Sequence, residues 1–286
     1  MHPPSFEYFR AETPADAVAL LGQHPDARVL AGGQSLIPSM NLRLSDPGVI
    51  IDIGRIPDWN GISVMADGSV AIGALTPHYA VATSADVPRV MSEAAGMIGD
   101  PQVRSRGTIG GNLAHADPAS DMPTVVMALE ANLEAVSPRG SRMIPALDCF
   151  LGLFNTALEA DEILATVLLA PRSAGRGSAY VKLANPASRY AMLGVAAWVV
   201  AADGVCQAAG VALGGLTPAP VRARSVEAAL NGQRLDESII AAAAGAVGDD
   251  LGDELIGDIH ASAEYRRAMA PVFVRRALLK AAERAR

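Results

Sequence analysis

The spacing of apolar and polar residues along the 286-residue chain changes character twice, and each change marks a new unit. Near the start, Thr13-Pro14-Ala15-Asp16 reads as a helix opening. Thr13 is the N-cap, and Pro14 takes the first helical position, where its missing N–H costs nothing. Val18, Leu20 and Leu21 supply the apolar face, and Gly22 its end. Arg28 to Ala31 and Val49 to Ile53 are apolar runs of strand length. They predict a small α/β unit over residues 1–57.

From Ile62 the pattern alternates. Ile62 to Ala66 and Ser69 to Ile72 flank Asp67-Gly68, a dipeptide suited to a type I′ hairpin turn. Thr76-Pro77 opens a helix by the capping logic used at Thr13. Val87 to Ile98 is another, with Val90, Ala94, Met97 and Ile98 on one face. A helix capped by Asp121 runs through Leu129. Leu133 to Val136 and Arg142 to Ile144 pair across the turn Pro138-Arg139-Gly140, and Glu162 to Leu169 is an apolar strand. These elements predict an antiparallel unit over 58–175.

The polar stretch Arg172 to Ser178 is the best boundary. Beyond it, Ala179 to Leu183, Met192 to Ala202 and Val205 to Leu213 read as strands, the last two joined through Asp203-Gly204. Helices follow at Ser225–Leu230, Glu237–Val247 and Ala263–Ala285, with Pro271 expected to kink or split the last. This is a third unit, 176–286. No repeat at solenoid spacing occurs. The fold class is α+β.

Composition narrows the function. A net charge of −7 without a basic cluster speaks against nucleic acid. Only two cysteines occur, Cys149 and Cys206, far apart. An iron–sulfur cluster needs about four ligands, so this chain cannot hold one alone. The five histidines show no H-x-H or H-E-x-x-H spacing, so no metal site is expected. No G-x-S-x-G elbow or Cys–His pairing offers a nucleophile. The uncharged run 204–221 contains Gly and Pro and suits strands better than a spanning helix. The N-terminal residues carry no basic, apolar leader. A soluble cytoplasmic protein without a transmembrane segment is expected.

Two glycine loops remain. In the first, Val29-Leu30 runs into Ala31-Gly32-Gly33-Gln34-Ser35-Leu36. The second, Arg106 to Asp121, contains Thr108-Ile109-Gly110-Gly111-Asn112, then His115 and Asp121. Glycines remove the Cβ atoms that keep a ligand from the backbone, and successive N–H groups can form a concave anion site. Thr108, Asn112 and Ser120 add donors, and Asp121 can accept from the hydroxyls of a ribose. His115 either contacts a ligand or stabilises the loop. Neither loop is a Rossmann or P-loop motif. A diphosphate-plus-sugar ligand held from two sides fits the pair; either loop alone reads rather as a plain turn without a ligand.

Ala31–Ser35 together with Thr108–Asn112 resembles the FAD-binding medium subunit of molybdenum hydroxylases. That family includes the flavoprotein subunits of carbon monoxide, xanthine and nicotine dehydrogenases. The resemblance extends through Phe6-Glu7-Tyr8, Ile98 to Arg104, Ala114 to Pro118 and His260 to Arg267. It implies a vanillyl-alcohol-oxidase-like arrangement. A small α/β unit and a larger antiparallel unit clamp FAD, and a C-terminal domain of a three-stranded sheet with helices covers the flavin.

The resemblance also implies roles for four residues. Lys182 matches a flavin-associated lysine, Leu164 an apolar residue packed on the flavin, and Tyr190 and Ile98 positions near the isoalloxazine. Gln34 stands where some relatives have His. The implied partners are a small subunit with two [2Fe–2S] clusters and a large molybdopterin subunit, assembled as a dimer of heterotrimers. In that assembly FAD carries electrons from the clusters to an external acceptor, and no residue of this chain is catalytic. Two alternatives are a stand-alone flavin reductase of the enolpyruvyl-reductase kind and a non-redox nucleotide-binding module.

Overall fold

The computed structural model describes residues 2–285. Its first layer is a wholly parallel sheet in the order β1-β3-β2, with β1 Glu7–Arg10, β2 Arg28–Leu30 and β3 Val49–Asp52. Helix α1, Pro14–Gln23, links β1 to β2, and α2, Leu36–Asn41, follows the first glycine loop. Thr13 and Asp16 form a reciprocal capping box, so both side chains satisfy orphan helix-terminal amides. Gly22 lies inside α1 rather than ending it; His24 closes the helix by donating to the Leu20 carbonyl.

The second layer is a five-stranded sheet, antiparallel at every pairing, in the order β4 (Ile62–Val64), β5 (Val70–Gly73), β10 (Ile163–Leu169), β6 (Asn132–Ser137), β7 (Gly140–Pro145). Its first hairpin is β4 with β5, and Asp67-Gly68 lies in the connection as expected. Only Gly68 takes positive φ, however, and its amide donates to the Met65 carbonyl, so the loop is a three-residue turn rather than type I′. Helices α3 His78–Thr83, α4 Arg89–Met97, α5 Pro101–Arg106, α6 Ile109–His115 and α7 Asp121–Ala128 come next. Two capping expectations are corrected. Thr76 does not cap α3: its hydroxyl bonds Gly61, and Pro77 precedes the first turn. Ser120, not Asp121, is the N-cap of α7.

Strands β6 Asn132–Ser137 and β7 Gly140–Pro145 make the second hairpin. The short α8, Ala146–Cys149, leads into a two-stranded ribbon of β8 Phe150–Gly152 and β9 Asn155–Thr156. Strand β10, Ile163–Leu169, then enters the centre of the sheet.

The third layer is built on β11 Arg176–Ala184, β12 Ala191–Ala202 and β13 Val205–Gly214. A two-residue β14, Val221–Arg222, adds a fourth strand where three were expected. Helices α9 Arg224–Leu230, α10 Glu237–Gly245 and α11 Ala263–Arg284 cover its far face. Pro271 does not split α11, which continues across it.

Helix α7 joins the second and third layers. All eight of its residues are buried, and it packs against β12 and β13. At its C-terminus the Trp198 indole N–H donates to the Ala128 carbonyl at 2.6 Å, and Arg222 donates to Met127 and Ala128. The bonds to Ala128 satisfy a carbonyl that a buried helix end would otherwise leave unpaired; Met127 also accepts from the Glu130 amide.

Candidate functional site

The first glycine loop leaves the carboxyl end of β2, at the edge of the parallel sheet where open α/β folds bind ligands. Gly33 has φ +72°, a left-handed conformation that opens the turn. The amides of Gly32, Gly33, Gln34, Ser35 and Leu36 find no protein acceptor among the described residues. Five consecutive free donors suit a polyanion.

The second loop is organised differently. Thr108 caps α6, accepting the Gly111 amide on Oγ1 and the Asn112 amide on its carbonyl. The Ile109 amide donates to Thr76 and the Gly110 amide to Ala74. All four amides are therefore committed within the protein, so this segment offers a bare surface and side chains rather than an N–H nest.

The two loops touch. A Cβ on Gly32 would stand 2.1 Å from the Arg106 carbonyl oxygen, and one on Gly111 3.7 Å from the Ala31 Cβ. A Cβ on Gly110 would meet Ala74 at 2.3 Å, so that glycine seats α6 on the scaffold. Beneath the second loop lies His78, 3 % exposed, its amide donating to the Gly107 carbonyl at 2.9 Å. Burial pushes its pKa down to about 4, so the ring is neutral at pH 7.

A polar line runs from this cradle to the third layer. Asn112 Nδ2 donates to Ser120 Oγ at 3.1 Å, and the Asn112 Oδ1 is buried without a partner. Next to Ser120, Asp121 accepts from the Tyr180 hydroxyl at 2.6 Å and from Lys182 Nζ at 2.9 Å. The Asp121 and Lys182 side chains are 5 % and 2 % exposed. Burial raises the Asp121 pKa against the pull of Lys182 and Tyr180. Both Asp121 oxygens are thus engaged inside the protein rather than offered to a ribose. Lys182 also donates to the Met97 carbonyl, which brings Ile98, at the end of α4, beside the pair.

Tyr190 lies near the same end, 43 % exposed. Burial, then the carboxylates of Asp117 and Asp121, push its phenol pKa up. Leu164 sits in the main core on β10, paired with Ala135. His115 packs its ring against Phe154, 5.1 Å between centroids, at the C-terminus of α6.

The fold and site together define a class: a two-part flavin-binding unit with an appended sheet domain. The family described as "FAD binding domain in molybdopterin dehydrogenase" matches residues 4–171, and that described as "CO dehydrogenase flavoprotein C-terminal domain" matches 178–281. The chain is 38 % identical over 283 residues to the carbon monoxide dehydrogenase medium chain of Hydrogenophaga pseudoflava, covering 97 % of each. It is 36 % identical over 284 residues to the nicotine 6-hydroxylase medium subunit of Paenarthrobacter nicotinovorans, covering 98 % of this chain and 99 % of that one. A carbon monoxide dehydrogenase structure from H. pseudoflava superposes with TM-score 0.94 at 40 % identity over 99 % of both chains. Quinoline 2-oxidoreductase from Pseudomonas putida 86 gives 0.91 at 31 % identity, covering 100 % of this chain and 99 % of that one. The chain belongs to the family of FAD-binding medium subunits of molybdenum hydroxylases, and it is the flavoprotein component of an oxidoreductase.

The site fits FAD. Free amides stand ready for a diphosphate, two backbones approach where glycine alone leaves room, and a buried acceptor on Asn112 awaits a donor. Sequence reasoning missed Tyr180 and His78. Tyr180 had a readable signal, since it lies two residues before Lys182 on one strand and so on the same face. Nothing local marked His78.

Proposed function

We propose that this chain is the electron-transfer subunit of a heterotrimeric molybdenum hydroxylase. Its partners are a small subunit with two [2Fe–2S] clusters and a large molybdopterin subunit, arranged as a dimer of heterotrimers in the cytoplasm. FAD, when bound, exchanges electrons singly or in pairs, which lets it pass them from the clusters to an external acceptor. The residues of this chain bind and orient. The amides of residues 32–36 hold the diphosphate, while Gly111, Thr108 and Asn112 form the opposing wall. The buried Lys182–Asp121 ion pair sets a fixed dipole near Ile98 and Tyr190. Ile98 supplies apolar surface that excludes water, and Leu164 belongs to the buried core against which Ile98 packs.

The observations that carry this reading are the unpaired amides at residues 32–36 beside the second glycine loop, in a chain whose two cysteines are both buried and unpaired. Buried free thiols also suit a reducing compartment. The test is the co-purified complex. Its flavin should bleach anaerobically when the holoenzyme's substrate is added, and the isolated chain's flavin should not. Reduction of the isolated chain by NADPH and turnover of an enolpyruvyl sugar would favour the stand-alone reductase instead.

A further inference from the structure

The segment His260–Arg267 is singled out by the sequence yet lies apart from the glycine cradle. Its centre is Arg266, in the first turns of α11 and only 3 % exposed. The guanidinium ties three segments together. Nε donates to the Ala261 carbonyl at 3.3 Å, Nη1 to the Gly215 carbonyl, and Nη2 to the Asp258 carboxylate. Asp258 in turn accepts the amides of His260 and Ala261, at 2.8 and 3.0 Å.

Gly215 is the relay. It has φ +86°, and a Cβ there would stand 2.6 Å from the Ala191 carbonyl oxygen. Its amide donates to Pro118 at 2.9 Å, and the Ala191 amide donates to Ala119 at 3.1 Å. Arg266 thus holds the residue that packs against Ala191, next in sequence to Tyr190, and that bonds the loop leading to Asp121. These segments enclose a cleft of about 250 Å³ lined by Asp117, Asn185, Ser188, Tyr190, His260 and Arg266. The Tyr190 segment has few other ties: its Arg189 has φ +65°, and its bonds run back to Asn185 and Ser188.

We propose that Arg266 is a positioning residue for the flavin. Acting through Gly215, it fixes Tyr190 and the 117–119 loop at the isoalloxazine end of the site. The proposal rests on the reading that Tyr190 borders the flavin. A phenol beside an isoalloxazine quenches its emission by electron transfer, so flavin fluorescence reports that contact directly.

The test compares Tyr190→Leu, Arg266→Gln, Arg266→Lys and the milder Asp258→Asn in the FAD-loaded chain. Two quantities are read: flavin emission, and hydrogen exchange at the Gly215 and Ala191 amides. Tyr190→Leu should raise emission severalfold. Arg266→Gln should raise emission to a similar level and speed exchange at both amides by roughly tenfold. Arg266→Lys should recover part of both effects, and Asp258→Asn should give a smaller version. Unchanged exchange at Gly215 and Ala191 in both Arg266→Gln and Asp258→Asn overturns the proposal, whatever the flavin does. Faster exchange with no change in emission, when Tyr190→Leu does brighten the flavin, overturns it as well. If Tyr190→Leu leaves emission unchanged, the Tyr190–flavin reading fails, and the proposal falls with it. If Arg266→Gln does not fold, Asp258→Asn decides.

Discussion

Gly32→Ala probes the contact on which the cradle depends. The new Cβ would lie 2.1 Å from the Arg106 carbonyl oxygen, 2.8 Å from its carbon and 2.9 Å from Gly107 Cα. These are backbone atoms and cannot swing aside like a flexible side chain. The loops must part by roughly 1 Å to restore ordinary van der Waals separation. Overpacking of this kind costs about 1–3 kcal/mol. Where that strain falls on the state in which both loops grip the cofactor, FAD affinity drops about 5- to 150-fold. Titration of the apo-chain with FAD, followed by flavin fluorescence, measures it; thermal melts with and without FAD separate lost affinity from lost fold. Gly22→Ala is the control. Its Cβ has ordinary contact, 3.9 Å to Pro138, on an exposed helix, so it should stabilise by about 0.4–1 kcal/mol with unchanged affinity. Wild-type FAD affinity and melting temperature in Gly32→Ala would refute the reasoning.

Three further outcomes follow from the same geometry. Lys182→Met leaves the Asp121 carboxylate buried without its ion partner and should cost about 3–5 kcal/mol in urea unfolding; adding Asp121→Asn should return part of it. His78, held near pKa 4 in the fold against 6.5 when unfolded, stays neutral while the unfolded chain takes up a proton. Stability should therefore fall as pH drops from 6.5 towards 4, by up to about 3 kcal/mol, and His78→Gln should flatten that limb of the pH–stability curve. Gly111→Ala places a Cβ 2.8 Å from Thr108 Oγ1 on the exposed wall of the cradle. It should lower stability by about 1 kcal/mol through the disturbed cap, while FAD binding weakens by more than that loss accounts for.

Local chemistry made much of the fold legible. The Thr13 box, the Asp67-Gly68 turn and the Asp203-Gly204 hairpin each follow from a few adjacent residues and stand where the sequence puts them. The missed elements were those in which distant partners decide. Helix α6 carries two glycines in its first three residues, which reads as loop; the Thr108 cap and the carbonyls of Ala74 and Thr76 make it a helix. Strand β14 is two residues long and exists through pairing with β13. At the site, both glycine loops were visible, but their different hydrogen-bonding states were not, because the acceptors at residues 74 and 76 lie over thirty positions away in sequence. The same holds for Asp121, whose partners come from a strand in another layer.

The total burial of α7 has a consequence for anyone cutting this chain between its two family segments. A fragment ending near residue 175 would keep the helix yet lose β12 and β13, against which it packs with all eight of its residues buried in the intact protein. Such a piece should clump rather than stay dispersed, because a bare aliphatic ridge seeks the nearest substitute lid. The flavin half and its C-terminal companion are therefore best produced, mutated and stored as one polypeptide.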